Sequence, residues 1–352
     1  MSRGGVWRHI EDLALELRNR GHSCVIGLQD EAVELRRAAA EQELRVESLA
    51  RTVRWRGWIW HGHLHDTFDR RFLAAAISRR LIGPTVLTEH LPRTNASDAS
   101  LLPGPRRPLA KQAKTAFKRA EIAFADRLVA VSPSSAEFMS QRYRLRSGTI
   151  DVVMNGIDGP AGPPDTQARQ QMGPAQILSV GSVIHQKGHD LLVDAAERAE
   201  ARWNVTVIGD GRLRAPLSER ALEHSLPVEF IGYSPAVADH LLRADIACLP
   251  SRWESCPYAA LEAMSVGLPL VGADVDGLRD LIDHGVTGLL VPPNDPVALA
   301  AALDGLSADP RARREMGEAG RTRVRSHTIT RMTDETLAVY DRAHAARRRN
   351  RA

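Results

Sequence analysis

The sequence is poor in cysteine, in lysine and in long apolar runs, and each shortage excludes something. Three cysteines, Cys24, Cys248 and Cys256, stand far apart or lack metal-ligand spacing, so there is no disulfide framework and no zinc knuckle. No apolar run approaches the roughly 18 residues of a membrane span. Met1-Ser2-Arg3 leads straight into Gly4-Gly5 without a signal-peptide pattern, which makes a cytoplasmic protein the simplest expectation. No helix-turn-helix, zinc-finger or RNP signature is present, so nucleic acid is not an expected partner.

What is there fits a globular protein of more than one domain. The 352 residues are 43% hydrophobic and 26% charged, too long for one ordinary core and about right for two. The net charge of +4 is uneven. Residues 1–160 hold 25 Lys+Arg against 18 Asp+Glu, whereas residues 161–352 hold 22 against 25. A basic first half suggests that only this half meets an anionic surface or a phosphate-bearing acceptor.

Helix-like and strand-like patterns alternate almost throughout, predicting parallel sheets covered by helices. Val6, Ile10, Leu13, Ala14 and Leu17 share one helical face ending at Gly21. Short apolar runs follow at Cys24–Ile26, Trp58–Trp60, Thr85–Leu87 and Leu128–Val131. The stretch from Asn155 to Pro164 is too rich in Gly and Pro for either element and reads as a domain linker. Beyond it the alternation restarts at Ile177–Gly181, Val205–Gly209 and Ile246–Pro250. Ligands of open α/β sheets bind beyond the carboxyl ends of strands. That rule directs attention to His61–His65, His90, Ser132, Gly181–Lys187, Gly209–Gly211 and Glu254.

Glu254-Ser-Cys-Pro-Tyr-Ala-Ala-Leu-Glu262 runs from a strand end into an apolar helix, with Pro257 suited to the first helical position. Free N–H groups at such a helix start favour a phosphate, and a carboxylate nearby accepts hydrogen bonds from vicinal hydroxyls. The plainer alternative is a helix-entry Glu beside a solvated one. Only four lysines exist (Lys111, Lys114, Lys118 and Lys187), so Lys187 in a Gly-flanked loop stands out. His61, His63 and His65 alternate and would share a strand face like a metal site. Asp66, however, looks like the cap of the next helix, and no metal is expected. Arg107, Lys111, Lys114 and Lys118 form a helical basic patch, either a solvated face or one touching anionic lipid or acceptor.

Nine stretches in a fixed order make the chain resemble glycosyltransferase family 4, the retaining enzymes of GT-B fold. They are Gly4-Gly5, Leu87–His90, Ala125–Ser132, Asn155–Asp158, Val180–Gly188, Ile208–Gly211, Ala244–Ser251, the Glu-x7-Glu segment and Gly288–Val291. The resemblance implies α/β architecture with two Rossmann-like domains facing across a cleft. Their expected extents are residues 1–160, a linker at 161–174, a donor-binding domain at 175–328, and a carboxy-terminal helix and basic tail at 329–352. It implies an NDP-sugar donor, a hydroxyl acceptor (lipid-linked in one version, with weak membrane contact), retention at the anomeric carbon, and no metal or other cofactor.

By the same resemblance Lys187 holds the donor pyrophosphate, Glu262 the ribose and Glu254 the donor sugar. His90 contacts the transferred sugar, and Gly5 lets backbone approach donor or acceptor. Ser255, Cys256 and Tyr258 belong to the donor-binding segment, and Gly209, Tyr233 and Val237 edge the nucleotide pocket. The chain departs from the family in two places. Ser182 stands where an arginine is common, leaving Arg252 or another residue to supply that charge. Asp276-Gly277 stands where two glycines are usual. The strand that the family writes before Gly4-Gly5 has too few residues here, so a gap is expected at the centre of the first sheet. Two rivals remain, a sugar-nucleotide epimerase and a catalytically weak binding partner in a polysaccharide assembly complex.

Overall fold

The computed structural model describes residues 4–28, 32–52, 56–64, 82–90, 118–120, 122–145, 148–158 and 173–349. The chain divides into two compact units. One comprises Met1–Gly156 with Thr328–Ala352, the other Ile157–His327. The division falls a few residues before the expected boundary. The carboxy-terminal helix Ile329–Arg349, expected as a separate appendage, is part of the first unit.

In the first unit β1 (Ile26–Leu28) pairs in parallel with β2 (Val46–Ser48). A separate parallel sheet carries β3 (Trp60–Leu64), β4 (Thr85–Glu89), β5 (Arg127–Ala130) and β6 (Ile150–Val152) in that order. Among the described residues β1 and β3 are not paired with each other, so the sheet is in two pieces where the central strand was expected. Alternate side chains of the larger sheet feed two cores, as the period of two requires. Leu87, Leu128 and Ala130 pack with Met139 and Tyr143 of the helix Pro133–Tyr143. Val86 and Val129 pack with Leu13 and Leu17 of the helix Gly5–Asn19, and with Met332 and Val339 of the carboxy-terminal helix. Because both faces are covered, all five residues of β4 are buried. The first helix starts at Gly5 with Gly4 as its cap, so Gly5 lies in the first helical turn and not in a loop. Its buried face also includes Trp7 and His9.

The second unit is one six-stranded parallel sheet in the order β12-β11-β10-β7-β8-β9. The strands are β7 (Ala175–Val180), β8 (Trp203–Ile208), β9 (Val228–Gly232), β10 (Ile246–Leu249), β11 (Leu270–Ala273) and β12 (Gly288–Val291). This is the doubly wound order of dinucleotide-binding folds, and its direction of winding reverses between β7 and β10. The crevice beyond the carboxyl ends of those two strands is where such a sheet binds its ligand.

Candidate active site

Lys187 and Glu254 follow β7 and β10, the pair that flanks the reversal. Lys187 ends a short 3-10 turn, His185–Lys187, and its stem packs over Gly181. Gly188 follows in the left-handed region at φ 68°, where a Cβ would lie 2.0 Å from the Pro250 carbonyl oxygen. Only glycine fits both demands, and this close approach brings the Lys187 turn against the loop after β10. There the Lys187 ammonium meets Glu254 Oε1 at 2.6 Å, and Ser251 Oγ donates to the same oxygen at 2.8 Å. Glu254 is only 5% exposed, so its charge is held by a cation and a hydroxyl rather than by water.

Arg252 is committed elsewhere. Its guanidinium grips the Asp190 carboxylate with two bonds of 2.8 and 2.6 Å and donates to the His185 carbonyl at 2.8 Å. Burial alone would raise the Asp190 carboxyl, but the hydrogen bonds and charge of Arg252 hold it below its ordinary value. Arg252 therefore does not replace the arginine absent at Ser182. It clamps the turn that carries Lys187.

The helix Tyr258–Ser265 begins one residue later than expected, and Pro257 is its cap in extended conformation at ψ 124°. Ser255, Cys256 and Tyr258 are buried, and Glu262 is half-buried on the same helix. Gly277 approaches this segment so closely that a Cβ would sit 2.2 Å from the Ser255 carbonyl oxygen. Its neighbour Asp276 is buried with Arg279 at 3.7 Å, so that carboxylate comes with a cation of its own. Gly209 has φ 144°, and a Cβ there would strike the Gly181 carbonyl oxygen at 2.0 Å. The ends of β7 and β8 thus meet backbone to backbone. Tyr233 is 73% exposed and Val237 starts the helix Val237–Arg243, half-buried.

In the first unit a histidine cluster joins three elements. His63 on β3 and His90 after β4 share a hydrogen bond of 3.1 Å between Nδ1 and Nε2. His9 of the first helix lies edge-on to His90 with ring centroids 4.8 Å apart, and 5.2 Å from His63. His9 Nδ1 donates to Asn155 Oδ1 at 2.9 Å. His61 lies tilted against His63, with ring centroids 4.3 Å apart, and is bonded to Tyr340 Oη and Thr88 Oγ1 at 2.8 and 2.7 Å. Burial pushes His9 down to about 4 and His61 to about 3, the latter also through His9, so both rings are neutral near pH 7. His61 and His63 share a face as expected, while His65 lies outside the described residues.

Of the expected basic patch, Arg107, Lys111 and Lys114 lie outside the described residues. Lys118 turns inward, its ammonium 2.6 Å from Glu89, which is 1% exposed and next to His90. Lys118 is thus an ion-pair partner of the sheet rather than part of an open cationic face. Sequence reading missed His9, Asn155 and the Arg252–Asp190 clamp. His9 has one local signal, a polar residue on the buried face of an amphipathic helix. Asn155 has no local signal of its own beyond opening the Asn155–Asp158 stretch that resembles the family, in a Gly-rich segment that otherwise reads as linker.

Two Rossmann-like α/β units, the second doubly wound with a cation and carboxylates at its reversal point, define the GT-B class of architecture. The family description Glycosyltransferase Family 4 matches residues 3–159, and Glycosyl transferases group 1 matches residues 165–323. The chain belongs to this glycosyltransferase family. A D-inositol 3-phosphate glycosyltransferase of Xylanimonas cellulosilytica is 32% identical over 324 residues, covering 85% of this chain and 75% of its own. A glycogen synthase of Mycobacterium tuberculosis is 32% identical over 212 residues, covering 57% of this chain and 50% of its own. The chain spans about half the length of several curated relatives it matches, that synthase among them. In fold it is similar to Anabaena HepE, solved in complex with UDP, at a TM-score of 0.79, 18% identity and 97% coverage of both chains. Among the described residues no helix is long and apolar enough to cross a membrane.

Proposed function

We propose that the protein transfers a hexosyl group from an NDP-sugar to a hydroxyl acceptor with retention at the anomeric carbon. The observation that carries this reading is the Lys187–Glu254 pair, held at 2.6 Å beyond the strands where the second sheet reverses. A diphosphate leaving group gains charge as the glycosidic bond breaks, and a pre-positioned ammonium stabilises that charge. An ammonium has three N–H donors and the ion pair uses one, so phosphate oxygens take the others without Glu254 losing its partner. Glu262 accepts from the ribose hydroxyls. Ser255, Cys256 and Tyr258 shape the donor segment, and Gly209, Tyr233 and Val237 edge the nucleotide. On the first unit His90 faces the transferred sugar, and its neutral neighbours position it rather than act as a nucleophile. No metal takes part in the transfer. Inositol phosphates and glucans, named for the relatives above, head the acceptors to try.

The experiment follows NDP release with candidate donors and acceptors, beside calorimetry with free NDP. Lys187→Ala lowers kcat by about 100-fold or more, the cost of losing one preorganised donor to developing charge, and weakens NDP binding. Glu262→Gln mainly raises the donor KM. Wild-type turnover in the Lys187 variant overturns the reading. Donor consumption without acceptor and without NDP release would mark an epimerase, and donor binding without turnover an inactive partner.

A further inference from the structure

We propose that His9, His63 and His90 form a binding site for a divalent transition metal of the zinc type. One ring nitrogen from each lies within 4.8 Å of the other two. The three come from different elements, the first helix, β3 and the residue after β4, so the folded unit assembles them. Four-coordinate zinc at 2.0–2.1 Å from each nitrogen needs nitrogens about 3.4 Å apart. His63 Nδ1 and His90 Nε2 already stand at 3.1 Å, and the His9 nitrogen, within 4.8 Å of both, has to draw in toward them on binding. Without a metal, that contact needs a proton between two imidazoles, and a cation takes the place of this proton.

The surroundings are those of a ligand set. Asn155 Oδ1 accepts from His9 Nδ1 at 2.9 Å, which fixes the tautomer and leaves Nε2 with its lone pair. Such an outer partner is what orients a metal-binding imidazole. His9 and His90 are buried and His63 is half-buried. An all-imidazole set suits zinc, copper, nickel or iron, whereas calcium and magnesium require oxygen. The transfer chemistry proposed above does not require this ion, but both readings call on the His90 ring, so a bound ion and a sugar contact at that ring exclude each other, and the test reads metal binding alone.

The test uses the full chain, freed of metal by a chelator and titrated with Zn2+ against a chromophoric competitor, then with Co2+ for its visible absorption. One ion per chain binds, and Co2+ shows the d–d bands of nitrogen ligation in low coordination. His63→Gln and His90→Gln each weaken binding by more than about tenfold, and Asn155→Ala by about tenfold, the usual cost of an outer partner. His224→Gln, at an exposed position, and Lys187→Ala leave it unchanged, so this result is separable from that of the donor site. Absence of the cobalt bands in the folded wild-type chain overturns the proposal whatever the variants do. Unchanged Zn2+ affinity in His63→Gln overturns it equally.

Discussion

At the scale of single residues, Glu254 owes its buried charge to Lys187. Removing one partner of a buried pair leaves an uncompensated ion, a loss of 3–5 kcal/mol in dry sites. With the Lys187 side chain 25% exposed, about 2–3 kcal/mol is expected. Lys187→Ala should therefore lower stability in urea by that amount, and adding Glu254→Gln should restore much of it without restoring turnover. A double variant no more stable than Lys187→Ala would show that Glu254 is not strained by losing its cation. His189, two residues on, carries a pH dependence. Burial, and then the charge of Lys187, push it down to about 4 from 6.5. The unfolded chain binds the proton first, so this stability is complete above about pH 6.5 and is lost as pH falls toward 4. The loss is on the order of 3 kcal/mol. His189→Gln should flatten the stability profile over that window, and parallel profiles for the two proteins would refute the assignment.

At the scale of elements, the three-residue turn His185–Lys187 is too short to hold its own geometry. It is held from outside. Arg252 N donates to the Gln186 carbonyl at 2.7 Å, and Gln186 Nε2 donates to the Trp253 carbonyl at 3.2 Å. The Arg252 guanidinium, with Nε on Asn294 Oδ1 at 2.8 Å, ties the same turn to Asp190 and to the loop before the helix Pro296–Ala308. A lysine keeps the charge but not the two-pronged grip. Arg252→Lys should therefore weaken NDP binding by about tenfold, roughly 1.4 kcal/mol, and speed amide exchange at Gln186 and Lys187. Donor affinity and exchange both at wild-type values would remove Arg252 from the positioning set.

At the scale of the whole molecule, the chain returns to its first unit after completing the second. The carboxy-terminal helix buries Met332, Val339 and Ala343 against Val86, Val129 and Leu17. It adds the Tyr340–His61 hydrogen bond and ion pairs from Arg342 to Asp151 and from Arg347 to Asp126. Two large apolar side chains at about 1.5–3 kcal/mol each are a large share of the ~5–15 kcal/mol that stabilises a typical domain. A chain ending at Thr328 should lose the calorimetric transition of the first unit and keep that of the second. An unchanged profile would mean that the helix is dispensable.

The sequence by itself determined the alternation of elements and where the candidate donor-side residues fall along it. The strand Ile246–Leu249 is buried at every residue, and Ala175–Val180 at all but Gln176 and Val180, so both read as largely apolar runs. Lys187 and Glu254 sit in the loops after such runs, so the strand ends mark them without any knowledge of packing, whereas Glu262 was marked by its spacing from Glu254 and lies inside the helix Tyr258–Ser265. Val46–Ser48 and Ile150–Val152 were not legible, being three-residue strands at sheet edges with a charged residue in the middle. The extent of the first unit was hidden as well, because only tertiary packing returns residues 328–352 to it. Tertiary structure alone decided which histidines meet. Alternation pointed to His61, His63 and His65, and the first two do share one strand face. A parallel sheet, however, sets that strand beside one that follows a crossover, and the first helix lies over both. So His63 meets His90, 27 residues on, while His9 meets Asn155 across 146. No periodicity along the chain encodes a contact that the winding of the sheet creates.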